Sequence, residues 1–121
     1  MLVQYRAWHK EKQKMFDIKA IDYSERTVSF VGTFEGAIFD EIDLLQTTSQ
    51  TDRVGKAIFD GDIVELRVPN PKLCGLYKVH RAPSGEWRID NSIQGRALKL
   101  AGSNNCTIVG NVFENKELLD D

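Results

Sequence analysis

The chain has 121 residues, of which 41% are hydrophobic and 28% are charged, and its formal net charge is −2. This length allows one domain or two small lobes, and the composition excludes an intrinsically disordered chain. The small net charge gives no overall attraction to nucleic acid or to an anionic membrane, and no apolar run reaches the roughly 18 residues that a membrane-spanning helix needs. The polar start, MLVQYR, does not resemble a secretory signal, and two distant cysteines are typical of a reducing compartment, so we expect a cytoplasmic protein.

The N-terminal part of the chain alternates between apolar and polar residues in three successive runs, residues 3–8, 16–20 and 28–30. Period-two alternation with short polar connections predicts an antiparallel meander, with a hairpin turn at residues 22–25. Residues 9–14 are interpreted as a solvated connection, which places His9 at the surface. Residues 36–46 fit a helix and a strand equally well. Residues 47–51 are predicted to form a polar linker at the boundary between two lobes.

The central stretch, residues 51–66, contains two turn signals, Val54-Gly55 and Asp60-Gly61. Glycine tolerates the positive φ of tight turns, and aspartate hydrogen-bonds its own backbone there. A strand with Val64 and Leu66 on one face follows the second turn.

Four further short strands are predicted at residues 76–80, 87–90, 97–100 and 106–113, separated by turn residues. Alternation directs Tyr77, Val79, Trp87 and Ile89 inward. Short strands at this spacing are typical of a small barrel. The predicted fold is therefore mainly β, with an N-terminal meander (residues 1–50), a small barrel-like lobe (residues 51–113) and a C-terminal tail (residues 114–121) containing one helical turn capped by Asn115.

Three separated motifs carry a family resemblance. Residues 5–15 (YRAWHKEKQKM), 55–64 (GKAIFDGDIV) and 108–119 (IVGNVFENKELL) are similar in order and spacing to the opening, central and closing motifs of the YopX family of small bacteriophage and prophage proteins. His9 stands where that family usually has aspartate, Lys116 where it usually has proline, and residues 48–50 replace a glycine-containing turn. The resemblance implies one YopX-like domain over residues 1–121, a mostly β fold, a phage or prophage origin and a bacterial cytoplasm. It supplies no catalytic residues to carry over, and we expect no cofactor.

Few residues are candidates for catalysis or metal binding. Asp60 and Asp62 flank a glycine and can present oxygens to a hard cation such as magnesium, although turn formation accounts for both. Of the two histidines, His80 is predicted to point outward into solvent, and Cys74, separated from it by five residues, does not make a zinc signature with it. No nucleophile elbow, phosphate-binding glycine loop or metalloprotease helix is present. These observations favour a protein without catalytic activity.

Charge is distributed unevenly along the chain. Residues 33–65 hold eight acidic and two basic side chains, whereas residues 66–105 hold seven basic and two acidic ones. Alternation places a basic set on the outer face of the later strands, a surface that small barrels use to bind nucleic acid. An ordinary solvated face, or one that meets an acidic block of the same chain or a second copy, is the alternative. The predicted nucleic-acid-binding residues are Arg67, Lys78, His80, Arg88 and Lys99.

Trp8, at the end of the first strand, is a candidate anchor for a partner, or part of the internal packing. Three hypotheses follow. The first is an accessory module that binds a host or phage protein and forms a homo-oligomer, because the open edges of small sheets recruit another chain. The second is nucleic-acid binding through the basic face. The third is a small metal-assisted enzyme using Asp60 and Asp62.

Overall fold

The computed structural model describes residues 4–91, 95–100 and 105–119. Regular structure in these ranges consists of β-strands and three-residue 3-10 turns, and the mainly β fold class is confirmed. The 3-10 turns are Phe39–Glu41, Pro71–Leu73 and Lys116–Leu118. The strands are β1 (Tyr5–His9), β2 (Lys14–Asp22), β3 (Thr27–Phe30), β4 (Gly36–Ile38), β5 (Ile42–Thr51), β6 (Ala57–Phe59), β7 (Asp62–Leu66), β8 (Gly75–Arg81), β9 (Trp87–Asn91), β10 (Arg96–Lys99) and β11 (Cys106–Asn111).

The chain divides into two compact units, residues 1–47 and 48–121. Residue 3, which belongs to the first predicted strand, and residues 120–121 of the predicted tail lie outside the described ranges. Within the described part of the chain, none of the helical turns approaches the length needed to cross a bilayer.

The first unit is an antiparallel meander in which β1 to β4 are neighbours in chain order and β5 pairs with the other side of β1. The alternation of the sequence is typical of such a sheet, although β1 buries three consecutive residues, Ala7, Trp8 and His9, and so is covered on both faces. The rings of Phe16 and Phe30 stack at 4.2 Å, and Ala7, Val28 and Ile42 are buried beside them. The predicted hairpin turn is present, since the Asp22 carboxylate accepts hydrogen bonds from the backbone N–H groups of the two turn residues at 24 and 25.

The second unit contains a five-stranded antiparallel sheet with the order β10-β9-β8-β7-β11. The inward-facing residues predicted from the alternation of its strands are buried: Val64, Tyr77 and Val79 are 0% exposed and Ile89 is 3% exposed. Trp87 is partly buried and packs against the same cluster. The Tyr77 hydroxyl donates to the carbonyl oxygen of Leu73 at 2.6 Å, so its polar atom is satisfied within the core.

The segment from residue 36 to residue 51 corrects two expectations. Residues 36–46 are neither one helix nor one strand, because β4, a 3-10 turn and β5 follow one another there. The predicted polar linker at residues 47–51 is wrong, since these residues are the second half of β5. Thr47 and Thr48 are buried, and the Thr48 hydroxyl donates to the Ile58 carbonyl oxygen at 2.9 Å. A strand can thus have a polar, linker-like sequence, because its threonine hydroxyls can be buried when they hydrogen-bond to the backbone.

His9 is not a surface residue. It is the last residue of β1 and is 4% exposed. Its Nδ1 accepts a hydrogen bond from the Lys12 N–H at 3.1 Å, and its ring packs edge-on against Phe16 at 6.4 Å. The imidazole therefore stabilises the β1–β2 turn and covers the apolar core at the same time.

The helical turn of the tail is present, but Asn115 does not cap it in the expected way. Asn115 occupies the N-cap position, yet its side chain makes no capping hydrogen bond to the turn. Its Oδ1 instead accepts from the Asn111 N–H at 3.2 Å. The side chain thus closes the turn at the end of β11.

Candidate functional site

The predicted basic surface lies on β8, β9 and β10. Residues directly opposite in antiparallel strands share a face, and Arg88 is opposite His80 on one side and Lys99 on the other. Lys78 is opposite Asp90. Lys78 and Lys99 are exposed, whereas His80 and Arg88 are half-buried. We call this set, Lys78, His80, Arg88, Asp90 and Lys99, the outer face. Arg67 lies just beyond the end of β7.

Carboxylates neutralise part of this positive charge. The Arg88 Nη1 lies 2.6 Å from Glu86 Oε1, and the Arg67 Nε lies 2.9 Å from Glu65 Oε1. Each guanidinium that would contact a phosphate is thus already paired with an anion. The role of this surface in nucleic-acid binding stays a prediction, and these ion pairs weaken it.

His80 lies beside two carboxylates. Its Nε2 is 3.4 Å from Asp90 Oδ2, but the two atoms are not aligned for a hydrogen bond, and this buried nitrogen has no hydrogen-bond partner in the described structure. Asp60 also interacts electrostatically with His80, Lys78 and Arg81. Burial raises the pKa of Asp60, an effect that these cationic groups only partly offset.

The two aspartates of the predicted metal site occupy different environments. Asp62 is 1% exposed, and its Oδ2 accepts the Phe59 N–H at 2.8 Å. Asp60 is half-buried among the cationic groups named above. Among the described residues, no group of three or more histidine, cysteine, aspartate or glutamate side chains is arranged to hold a metal ion. A divalent cation at Asp60 would also be repelled by the positive charges of Lys78 and Arg81. The metal role therefore remains a prediction without structural support.

Trp8 is 6% exposed, within β1. So little of its surface is accessible that a role as a partner anchor remains a prediction, and it requires exposure of the indole on binding.

Exposed apolar side chains occur instead on the β3–β4 hairpin of the first unit. Phe34 is fully exposed, Val31 is 56% exposed and Ile38 is 49% exposed. We call these three residues the hairpin surface. Beside it lies a shallow cavity of about 200 Å³, whose lining includes Ile38 and Phe39. Sequence reasoning missed this surface; the only signal was a phenylalanine within a turn of polar residues.

The turn that carries Phe34 is ordered by hydrogen bonds. The Glu35 N–H donates to the Thr33 hydroxyl at 2.9 Å, and the Phe30 N–H donates to the Glu35 carbonyl oxygen at 3.2 Å. The Glu35 carboxylate lies 3.1 Å from the Lys12 ammonium nitrogen. The aromatic ring is therefore presented on a preformed turn, which lowers the entropy cost of binding a partner.

Edge strands show a second feature that was not predicted. The two sheets have four edge strands, β4, β6, β10 and β11. Side-chain carboxylates accept backbone N–H groups of three of them: Glu41 from Ile38 in β4 at 2.9 Å, Asp62 from Phe59 in β6, and Asp52 from Ile108 in β11 at 3.0 Å. An occupied amide cannot pair with an added strand, so one position on each of these edges is blocked.

Comparisons with known proteins agree with this architecture. Among solved structures, protein EF1440 from Enterococcus faecalis is 21% identical with a TM-score of 0.65, and the match covers 99% of this chain and 99% of that one. Protein yopX from Bacillus subtilis is 20% identical with a TM-score of 0.63, covering 97% and 98%. At these identities the likeness shows the fold alone. The comparison with curated proteins gave no match. The family model described as YopX protein matches residues 4–120, so the chain belongs to the YopX family.

Proposed function

We propose that this chain is a phage- or prophage-encoded accessory protein of the bacterial cytoplasm, a non-catalytic module that binds a host or phage protein and associates with itself. The family resemblance supports the origin. The hairpin surface supports the binding role, and the full exposure of Phe34 is the observation that carries the proposal.

An aromatic side chain held fully in water on an ordered turn gains free energy when a partner covers it. Burial of one such side chain contributes about 1.5–3 kcal/mol, and aromatic residues are frequent among the few that dominate interface energies. Val31 and Ile38 are further exposed apolar residues of the same hairpin. A symmetric contact between two copies can bury the same patch on both, because twofold interfaces are self-complementary.

The test compares three baits in a pull-down from host lysate: the wild type, Phe34→Ser and Val54→Ser. Val54 is a matched control, since it is 75% exposed but lies in a turn of the second unit. We expect the wild type and Val54→Ser to capture the same protein and Phe34→Ser to lose it, with an affinity loss of about ten-fold or more. Equal capture by all three baits would contradict the role of the hairpin surface.

Self-association is measured separately as solution mass over a dilution series. We expect the wild type and Val54→Ser to exceed 13.7 kDa at high concentration and to approach it on dilution. Phe34→Ser should remain at the monomer mass throughout. A wild type that is monomeric at every concentration and captures nothing would refute the whole proposal.

A further inference from the structure

One sheet edge differs from the others. Strand β10 forms the edge of the five-stranded sheet. The Leu100 N–H donates to the Trp87 carbonyl oxygen at 3.0 Å. Along an antiparallel strand, every second residue directs its backbone N–H toward the neighbouring strand, and the residues between direct theirs away from it. The backbone N–H groups of Ala97 and Lys99 therefore face away from β9. In the part of the chain that the structure describes, no carboxylate accepts either of them.

The side chains along this edge differ between the two faces of the sheet. Ala97 and Lys99 are exposed, and Lys99 lies beside Arg88 on the outer face. On the opposite face, Leu98 packs against the core cluster and Leu100 is 3% exposed. A strand added to β10 would place alternate residues on these two faces. Negative side chains suit the outer face and apolar side chains suit the face of Leu98.

A second copy of this chain does not meet these requirements. Antiparallel pairing of β10 with its own copy keeps every residue on its own face of the extended sheet, so the Lys99 side chains of both copies lie on the outer face, where a negative side chain is needed. In each of the edges β4, β6 and β11 of a second copy, one backbone N–H is already bonded to a carboxylate, as described above. The charge of the edge therefore favours a different chain.

We propose that the β10 edge binds an extended acidic segment of a partner protein, one in which acidic and apolar residues alternate, by strand addition. Backbone hydrogen bonds to the amides of Ala97 and Lys99 supply affinity, and the alternation supplies specificity. This edge is separate from the hairpin surface, and the proposal holds whether or not that surface binds a protein.

The probe is a blocked six-residue peptide of alternating glutamate and valine, titrated to about 1 mM into the full chain. We expect it to bind the wild type, to slow hydrogen exchange at the amides of Ala97 and Lys99, and to bind more weakly as salt is added. The matched peptide of alternating lysine and valine should not bind. Absence of glutamate–valine binding at 1 mM, or equal binding of both peptides, would overturn the proposal.

Two variants locate the binding. Ala97→Pro removes the outward N–H while leaving the ladder to β9 intact, and proline is tolerated at such edge positions. Its control, Ala97→Val, keeps the N–H. We expect at least a ten-fold loss of affinity for the proline variant and little change for valine. Unchanged affinity in a folded Ala97→Pro protein would refute strand addition.

Lys99→Glu tests the charge without altering the backbone, so the proposal stays falsifiable if the proline variant fails to fold. We expect about a three-fold loss at low salt, which disappears at high salt. No loss at low salt would refute the charge argument. Phe34→Ser should bind the peptide as the wild type does, and this separates a failure here from a failure of the hairpin surface.

Discussion

At the scale of single residues, buried carboxylates in this chain serve the backbone. Asp52 is 2% exposed and accepts three backbone N–H groups, those of Val54, Lys56 and Ile108, at 2.9–3.0 Å. Burial opposes ionisation of this group, but the three amide hydrogen bonds outweigh it and lower the pKa of Asp52. The carboxylate thus joins its own turn to β11.

The first prediction concerns this group. Asp52→Asn should lower the free energy of unfolding at pH 7 by about 2–3 kcal/mol, because an amide NH₂ would face the Ile108 N–H. The matched control is Asp22→Asn, an exposed turn aspartate whose accepting atom, Oδ1, the amide retains. This control should cost under about 1 kcal/mol. Urea unfolding of the three proteins measures both values.

The pH dependence follows from the direction of the shift. Since the pKa of Asp52 is lower in the folded state, its contribution is complete above the unfolded value near 3.8 and is lost as the pH falls through the folded value. The wild type should therefore lose stability below about pH 4 more steeply than Asp52→Asn does. Parallel pH profiles would contradict this assignment.

At the scale of elements, the turns decide where strands begin. Gly61 has φ +86° and lies between β6 and β7. Its N–H donates to the Val79 carbonyl oxygen, and its carbonyl oxygen accepts the Val112 N–H. A Cβ there would approach the Phe113 ring at 3.1 Å. Both the positive φ and the close ring require glycine at this position.

Gly55 provides a matched comparison, because its φ is +85° but nothing lies within 4 Å of a Cβ built there. Gly55→Ala should cost about 1 kcal/mol from backbone strain alone. Gly61→Ala should cost about 2–4 kcal/mol, since displacement of Phe113 is added to the same strain. Thermal unfolding of both variants measures the difference. Equal losses of unfolding free energy would show that the contact with Phe113 adds nothing to the destabilisation.

The strands that sequence predicted best are those with simple alternation. Tyr77, Val79 and Ile89 are buried because large apolar residues at every second position lie on one face of the strand, and only the pairing that turns this face to the core removes them all from water. The second half of β5 was missed because Thr48 buries its hydroxyl on a distant carbonyl oxygen, a partner that depends on the tertiary fold. His9 was missed because its burial depends on packing against Phe16 of the neighbouring strand. Phe34 was missed because the exposure of an apolar residue in a turn depends on its surroundings.

At the scale of the whole molecule, the uneven charge along the sequence is only partly retained on the surface. The basic half brings Lys78, Arg88 and Lys99 together, but Glu65 and Glu86 each pair with an arginine. The outer face therefore attracts a polyanion far less than the count of basic residues indicates.

The corresponding prediction uses a fluorescent single-stranded oligonucleotide. We expect weak binding by the wild type at about 50 mM salt, lost by about 200 mM. The double variant Glu65→Gln, Glu86→Gln releases both arginines, so it should bind more tightly, and the logarithmic salt slope should steepen by about 1.4. Tight wild-type binding at 200 mM would instead make nucleic acid the leading partner.

The carboxylates that accept edge amides of β4, β6 and β11 have a consequence for how this chain meets its own copies at high concentration. Each one joins two properties that ordinarily vary independently, the fixing of a local turn and the blocking of one edge amide against pairing with another chain. A mutation at Glu41, Asp52 or Asp62 would therefore impair both at once. Protection of these edge amides is, in this sense, built into the same hydrogen bonds that fix the turns.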